Sequence, residues 1–451
     1  MITNSRLAAL GLFDTRVPRY TSYPTAPQFN AAIGADSHRR WIAAIAPGST
    51  VSLYVHIPFC RRLCWFCACR TQGTQKDAPV RAYLQTLQAE LALLKQILPD
   101  GVELARLHWG GGTPTLLSPT MMQDLAGAIA AVAPLAEGAE FSVEIDPNEI
   151  DAARLDTLAA AGMTRASIGV QDFDPQIQQA IGRVQSYEVT RDAVAMLRAR
   201  GIRSLNADIL YGLPHQSRGR IADSVQKLLS LHPDRVALYG YAHVPWMARR
   251  QAMIATDSLP DPQQRLDLFE TARRLFVWDG YDEIGIDHFA TPQDGLGRAR
   301  RRGGLRRNFQ GYTDDSSEVL IGLGASAISR FPQGYTQNAA ATSAHTGRIR
   351  AGEFSTARGH AFAGDDALRA RIIEALMCDF RVETEELTTR FGAPRAQIDQ
   401  LFAHANHQFD GLLELSETGL AIPPDLRPLT RLIARSFDAY ELSKAGHSPA
   451  I

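Results

Sequence analysis

The sequence predicts an α/β fold organised around a parallel sheet, and three observations carry that expectation. From about residue 50, β-type and helical patterns alternate strictly, as βα units do. The unusual residue types fall at the carboxyl ends of the β-type runs. At 451 residues, 45% of them hydrophobic, the chain can fill one barrel plus additions or two domains. A barrel and an open doubly wound sheet both fit, and both place chemistry at the carboxyl ends of their strands.

Taken in order, a first strand at 53–57 leads into a loop holding four of the five cysteines: Cys60, Cys64, Cys67 and Cys69. Val80, Tyr83, Leu84, Leu87, Leu91, Leu94 and Leu98 then mark one helical face. A strand at 106–109 runs into Gly110, Gly111, Gly112, Thr113 and Pro114. Ser118 and Pro119 read as the N-cap and first residue of a helix over 119–133. Strands at 140–145, 165–170, 204–210, 235–239 and 281–286 are separated by helices such as 151–161, 187–200 and 262–279. Their ends bring Glu144, Gln171, Asp208 and the Tyr241–His243 run to one rim.

Composition excludes broad classes of partner. Lys and Arg number 47 against 48 Asp and Glu, a net charge of −1, so no overall field draws the chain to nucleic acid or to a membrane surface. The longest weakly polar run, 125–139, is broken by Pro134 and is shorter than the roughly 20 residues a membrane span needs. Residues 1–20 carry no secretory-signal pattern, so a cytoplasmic location and reduced thiols are expected.

Reduced, crowded thiols point to metal. Zinc sites usually pair well-separated Cys or His couples, whereas here the thiols share one short loop. Three thiolates at x3 and x2 spacing suit three irons of a [4Fe-4S] cubane and leave the fourth iron open to a ligand. Cys60, Cys64 and Cys67 in this spacing resemble the signature of radical S-adenosylmethionine (SAM) enzymes, in which the open iron binds SAM. Cys69 is surplus, either a fourth ligand that would close the cluster or a neighbour without an assigned role. Cys378, in a helical run, reads as a small buried apolar residue. The triple glycine lets the backbone approach a ligand closely and offers free N–H groups to a carboxylate. Glu144 and Asp208 read either as ligands of ribose hydroxyls or an ammonium group, or as capping and ion-pairing residues.

Several longer stretches together resemble the oxygen-independent coproporphyrinogen III oxidase family: Tyr54 to Cys60, Cys69, His108 to Pro114, Gly169 to Phe173, Arg307 to Tyr312, and Pro18 to Ala26 near the N-terminus. The resemblance implies a partial (β/α)6 TIM-like radical SAM barrel with an N-terminal arm and a C-terminal mainly helical domain. The corresponding divisions are 1–46, 47–345 and 360–451. It implies that Cys60, Cys64 and Cys67 hold the cluster, and that Tyr54, Gly111, Glu144 and Ile328 contact a first SAM. Phe66, Gly112, Thr113, Gln171, Arg183, Asp208 and Ala242 would contact a second. It further implies conversion of two propionates of coproporphyrinogen III to vinyl groups by a 5′-deoxyadenosyl radical. A monomer served by a one-electron donor such as flavodoxin or ferredoxin is expected.

A substrate with four carboxylates selects cationic side chains. Within the basic run 298–307, Arg306 and Arg307 adjoin Asn308 and are the candidates; the other arginines read as a solvated loop face. Arg19 and Tyr20 in the arm offer further donors. Residues 413–440 suggest a winged-helix-like module without a concentrated basic face, which favours a cover over the substrate cavity rather than DNA binding. Two alternatives stand beside this reading: another porphyrin-directed radical SAM enzyme, and a haem-binding chaperone. Chaperone relatives generally lack Cys69 and the 20–26 arm, both present here.

Overall fold

The computed structural model describes residues 3–441 and 450–451. Its centre is a run of six parallel strands: β1 (Thr50–Ile57), β2 (Glu103–Gly111), β3 (Leu135–Ile145), β4 (Arg165–Gln171), β5 (Ser204–Tyr211) and β6 (Arg235–Gly240). Each is hydrogen-bonded to its successor, so the order never reverses. A reversal is what creates the switch point of a doubly wound sheet. Right-handed crossovers that all step the same way instead put every helix on one face, which is the wall of a barrel. Those helices are α1 (Asp77–Lys95), α2 (Pro119–Ala130), α3 (Ala152–Ala160), α4 (Tyr187–Ala199), α5 (Arg218–Leu229) and α6 (Pro262–Trp278).

Local chemistry fixes their starts. The Ser118 hydroxyl accepts from Met121 N at 3.3 Å with Pro119 following, as the sequence predicts. Asp261 and Gln264 form a reciprocal capping box on α6. Val51, Leu53, Val55 and Ile57 of β1 are buried against the helices, and Trp109 of β2 packs edge-on to Phe141 of β3 at 5.1 Å. The alternate residues face the lumen, and many are polar: His108, Glu140, Ser142, Glu144, Arg165, Asn206, Asp208 and Arg235 all line one interior cavity. The apolar core thus lies between sheet and helices, and the lumen is lined by polar and charged side chains.

Both flanks of the sheet extend in ways the sequence does not announce. The run expected as one strand at 281–286 is a hairpin instead, Asp282–Ile284 and His288–Ala290, whose second strand pairs antiparallel with β6; Gly285 at φ +54° begins the turn. On the other side Leu320–Leu323 pairs parallel to β1, followed by antiparallel Ile328–Phe331, Gly334–Asn338 and Thr356–Ala361. The sheet therefore runs past residue 345. Its outer strand is met by the arm, where Asn30 and Gly359 exchange N–H···O bonds of 2.8 and 2.9 Å. The C-terminal region holds helix Asp366–Asp379, the pair Thr384–Phe391 and Arg395–Gln408, and a three-stranded sheet of Arg381–Glu383, Glu414–Ser416 and Gly419–Ala421. No helix among the described residues is long and apolar enough to cross a membrane.

Candidate active site at the carboxyl rim of the barrel

A cavity of about 380 Å³ opens at the carboxyl ends of the strands, lined by Cys60, Cys64, Cys67 and Cys69 and by residues from β2 to β6. Main-chain bonds hold the cysteine loop: Trp65 N to Ile181 O at 2.9 Å and Thr74 N to Cys60 O at 3.0 Å. From the opposite side Gln251 Nε2 donates to Phe66 O at 2.8 Å, and Arg250 donates to Thr71 Oγ1 at 3.0 Å.

The thiols of the loop differ in proton affinity. Burial pushes the Cys60 thiol up to about 11 and raises that of Cys64, but the Arg183 guanidinium, 3.6 Å from Cys64 Sγ, pulls the latter back toward thiolate. Cys69 is exposed, and its main-chain N–H donates to Cys67 Sγ at 3.4 Å. Among the described residues, no three His, Cys, Asp or Glu side chains converge as they would on a single metal ion. A cubane asks for a wider spread, because each thiolate ligates a different iron. Three cysteines facing one cavity fit such a cluster.

Above the loop, Glu144 accepts from Gly111 N at 3.0 Å and from His108 Nε2 at 3.3 Å. Burial raises its proton affinity, yet these partners outweigh burial and hold it below the usual carboxylate range. Tyr54 stacks on His108 at 5.5 Å and hydrogen-bonds His56 Nδ1 at 3.0 Å. Gly111 sits at φ +113°, and a Cβ there would lie 2.5 Å from His56 Nδ1. A Cβ on Gly112 would strike Phe59 backbone, so both glycines are steric requirements.

Asp208 faces the same space from β5, held by Asn206 Nδ2 at 2.9 Å. Burial pushes its pKa up to about 7, and the charge of Glu144 adds to the effect. Gln171 adopts φ +69° at a bulge in β4, an unfavourable conformation for a residue with a side chain. Arg183 spans the floor of the loop, bonding Gly169 O at 2.9 Å and Gln185 Oε1 at 3.0 Å, with Asp146 at 3.7 Å. Phe66 and Thr113 also line this cavity.

Other candidate residues lie elsewhere. Ala242 lines a second cavity of about 560 Å³, as do Arg19 and Arg307; Tyr239 borders both. Ile328 lies on a flanking strand and lines neither cavity. Tyr20 is buried with its hydroxyl donating to Asp438 at 2.9 Å, so it fastens the arm to the C-terminal region instead of facing a substrate. Arg306 and Arg307, both candidates for binding substrate carboxylates, lie on one strand, Arg306–Asn308, in which neighbours point to opposite faces. Arg306 lies 3.6 Å from Glu374 and lines neither large cavity.

Sequence reasoning misses the lumen network beneath the site. Glu140 lies between Arg165 (2.7 Å) and Arg106 (2.9 Å), while Asp294 pairs with Arg235 at 2.5 Å. Burial pushes the Glu140 carboxyl up, but Arg165, Arg235 and Arg106 prevail and bring it down to about 2. A charged residue opening an otherwise apolar parallel strand, as at Arg165 and Arg235, is the signal that reveals it.

Barrel and cysteine loop together define a radical SAM protein, and the Radical SAM superfamily model matches residues 54–228. The chain is 65% identical over its full length to the oxygen-independent coproporphyrinogen III oxidase of Paracoccus denitrificans (strain Pd 1222), and covers 100% of it. It is 60% identical to that of Cereibacter sphaeroides (strain ATCC 17023), over 98% of both chains. The solved coproporphyrinogen III oxidase of Escherichia coli, described as a radical SAM enzyme, superposes with a TM-score of 0.89 at 34% identity, covering 95% of this chain and 100% of that one. The chain belongs to the oxygen-independent coproporphyrinogen III oxidase family.

Proposed function

We propose that this protein carries out the oxygen-independent oxidative decarboxylation of coproporphyrinogen III, converting two propionate side chains to vinyl groups and yielding protoporphyrinogen IX. The observation that carries this reading is the convergence of Cys60, Cys64 and Cys67 with Glu144 and Asp208 on one cavity at the barrel rim. When bound, the [4Fe-4S] cluster and SAM supply a hydrogen-abstracting carbon radical, which an unactivated propionate C–H bond requires and no side-chain base can replace.

The protein's own groups bind and orient. Cys60, Cys64 and Cys67 hold the cluster, with Arg183 favouring the thiolate of Cys64 and the Cys69 amide bonding Cys67. Glu144, kept ionised by His108 and Gly111, would accept from the ammonium group of the first SAM, which Tyr54 and Gly111 would also contact. Asp208, with its raised pKa, would pair with hydroxyls of the second, beside Phe66, Gly112, Thr113, Gln171 and Arg183. Ile328 would contact the first SAM and Ala242 the second. Residues 1–46 form the arm, 47–345 the core of the catalytic unit, and 360–451 the cover. The protein works as a cytoplasmic monomer, receiving single electrons from a carrier such as flavodoxin or ferredoxin.

Anaerobic turnover of coproporphyrinogen III by reconstituted protein, read by mass spectrometry, tests the reading. Two successive losses of carbon dioxide with two hydrogens are expected. Transfer of a methyl group to the tetrapyrrole, or haem bound without decarboxylation, would overturn it.

A further inference from the structure

We propose that the second cavity seats the tetrapyrrole itself: Asp287 accepts the central pyrrole N–H groups, and Arg19, Arg265, Arg307 and Arg431 bind the peripheral carboxylates. This rests on the decarboxylation reading above and adds where and how the substrate is held.

A porphyrinogen carries N–H donors converging on its centre and carboxylates around its rim. The ligand it selects is an acceptor inside and cations outside. The cavity has that layout. At about 560 Å³ it falls in the ordinary range of small-molecule sites, roughly 300–1,000 Å³. The Asp287 carboxylate lines it, and its one hydrogen bond runs from His288 Nδ1 to Oδ1 at 2.7 Å; Oδ2 has no hydrogen-bond partner among the described residues.

Arg19, Arg265 and Arg307 hold no carboxylate side chain closer than 3.9 Å among the described residues. Arg307 has a side chain only 5% exposed, stacks on Tyr312 at 4.4 Å, and approaches Asp287 no closer than 3.9 Å. Its Nε and Nη1 are buried without a hydrogen-bond partner among the described residues. Leaving buried guanidinium donors unmet is costly, and an incoming carboxylate meets them. Arg19 donates to Gly240 O at 3.2 Å, and Arg265 to Ile451 O at 3.2 Å with its guanidinium over Tyr211. Arg19 pairs with no carboxylate side chain among the described residues, and the oxygen that Arg265 holds is that of the sequence's last residue, which an arriving substrate carboxylate would displace. Arg431 donates to Val17 O at 2.5 Å, Pro18 O at 3.1 Å and Ala450 O at 3.2 Å, main-chain oxygens that fix it in the wall of the cavity. Burial lowers the proton affinity of Arg265 and Arg431, and Arg19 lowers both further, so an arriving carboxylate relieves a repulsion already present. The other arginines of this wall each face an acid: Arg273 lies 3.1 Å from Glu283, Arg427 3.9 Å from the same carboxylate, and Arg274 4.0 Å from Glu270.

Tyr239 forms part of both cavities. A macrocycle seated on Asp287 therefore extends one edge toward the cysteine-lined space and leaves its far carboxylates among the arginines.

The test is anaerobic equilibrium binding of coproporphyrinogen III and, separately, of SAM to wild type, Asp287→Asn, Arg265→Gln and Arg265→Lys. Asp287→Asn and Arg265→Gln are expected to weaken coproporphyrinogen binding roughly ten- to hundredfold, with SAM affinity unchanged. Arg265→Lys restores part of the loss. The tetramethyl ester, which keeps the pyrroles but lacks the charges, should bind wild type weakly and lose nothing further in Arg265→Gln, yet lose affinity in Asp287→Asn. Unchanged coproporphyrinogen binding in both variants, or an equal loss of SAM affinity, would overturn the assignment. If wild type binds coproporphyrinogen in this pattern but releases no decarboxylated product, the reaction reading fails while the seat stands.

Discussion

Replacing Glu90 with glutamine should reverse its effect on stability between acid and alkaline pH. Glu90 lies on α1 at 1% exposure, accepting from Gly324 N and from Asn338 Nδ2, each at 2.8 Å. Burial pushes its pKa from 4.5 to about 8, and these two hydrogen bonds only partly oppose the rise. Below pH 4.5 the carboxyl is protonated in both folded and unfolded chains and costs nothing extra. As pH rises toward 8, the unfolded chain releases its proton while the folded one keeps it, so stability drains away at about 1.4 kcal/mol per pH unit, about 5 kcal/mol in all. Glutamine never ionises and escapes this loss. It does place an amide donor against Gly324 N or Asn338 Nδ2, a fixed cost of about 1–3 kcal/mol. Nearby His345, 3.6 Å away, is held down to about 4 by burial and stays neutral across the window. Urea unfolding of wild type and Glu90→Gln at pH 5, 6, 7 and 8 measures the difference. The variant should be the weaker at pH 5 and the stronger at pH 8. Parallel pH profiles would mean that the carboxyl ionises in place, and the reasoning would fail.

Single serine substitutions at Cys60, Cys64 and Cys67 should each abolish the iron content and visible absorbance of anaerobically reconstituted protein, while Cys69→Ser keeps both. Retention in Cys64→Ser with loss in Cys69→Ser would reassign the ligands. Equilibrium titration should find two SAM sites, one removed by Glu144→Ala and the other by Asp208→Ala; a single site lost in both variants would contradict separate roles. Glu140→Gln leaves Arg165 and Arg106 without their shared carboxylate and should cost about 3–5 kcal/mol in urea unfolding at pH 7. Because this pKa is depressed, the carboxylate's contribution is complete above about 4.5 and disappears as pH falls toward 2, so the variant and wild type should converge in acid.

What the sequence discloses follows the reach of its signals. The six βα units are legible because period-2 and period-3.6 patterns are local, and the cysteine spacing is legible because its ligands lie within one loop. The flank from 320 to 361 is not, since its strands are short and its glycines look like a linker. Gly324 in fact takes φ +93° to let its backbone pass beside His56 O. Arg306 and Arg307 look equivalent in a basic run, and only strand alternation separates them. Arg265 and Arg431 resemble ordinary helix-surface cations, because nothing local says that residues 166 positions apart share a cavity. Likewise, His108 and Gly111 as partners of Glu144 become visible only when β2 and β3 lie side by side.

The meeting of Asn30 with Gly359 bears on how this molecule stays dispersed. A sheet of twelve strands has two edges, and each presents unpaired N–H and C=O groups that can template pairing with another chain. One edge, Asp282–Ile284, is only three residues long. The other, Thr356–Ala361, is twice that and would be the hazard, but Asn30 occupies its hydrogen bonds at Gly359, helix Ala35–Ala43 packs over it, and Phe29 stacks on Tyr335 at 5.6 Å. The arm therefore serves colloidal stability as well as the neighbourhood of the second cavity: the segment that carries Arg19 also blunts the sheet's longer adhesive border.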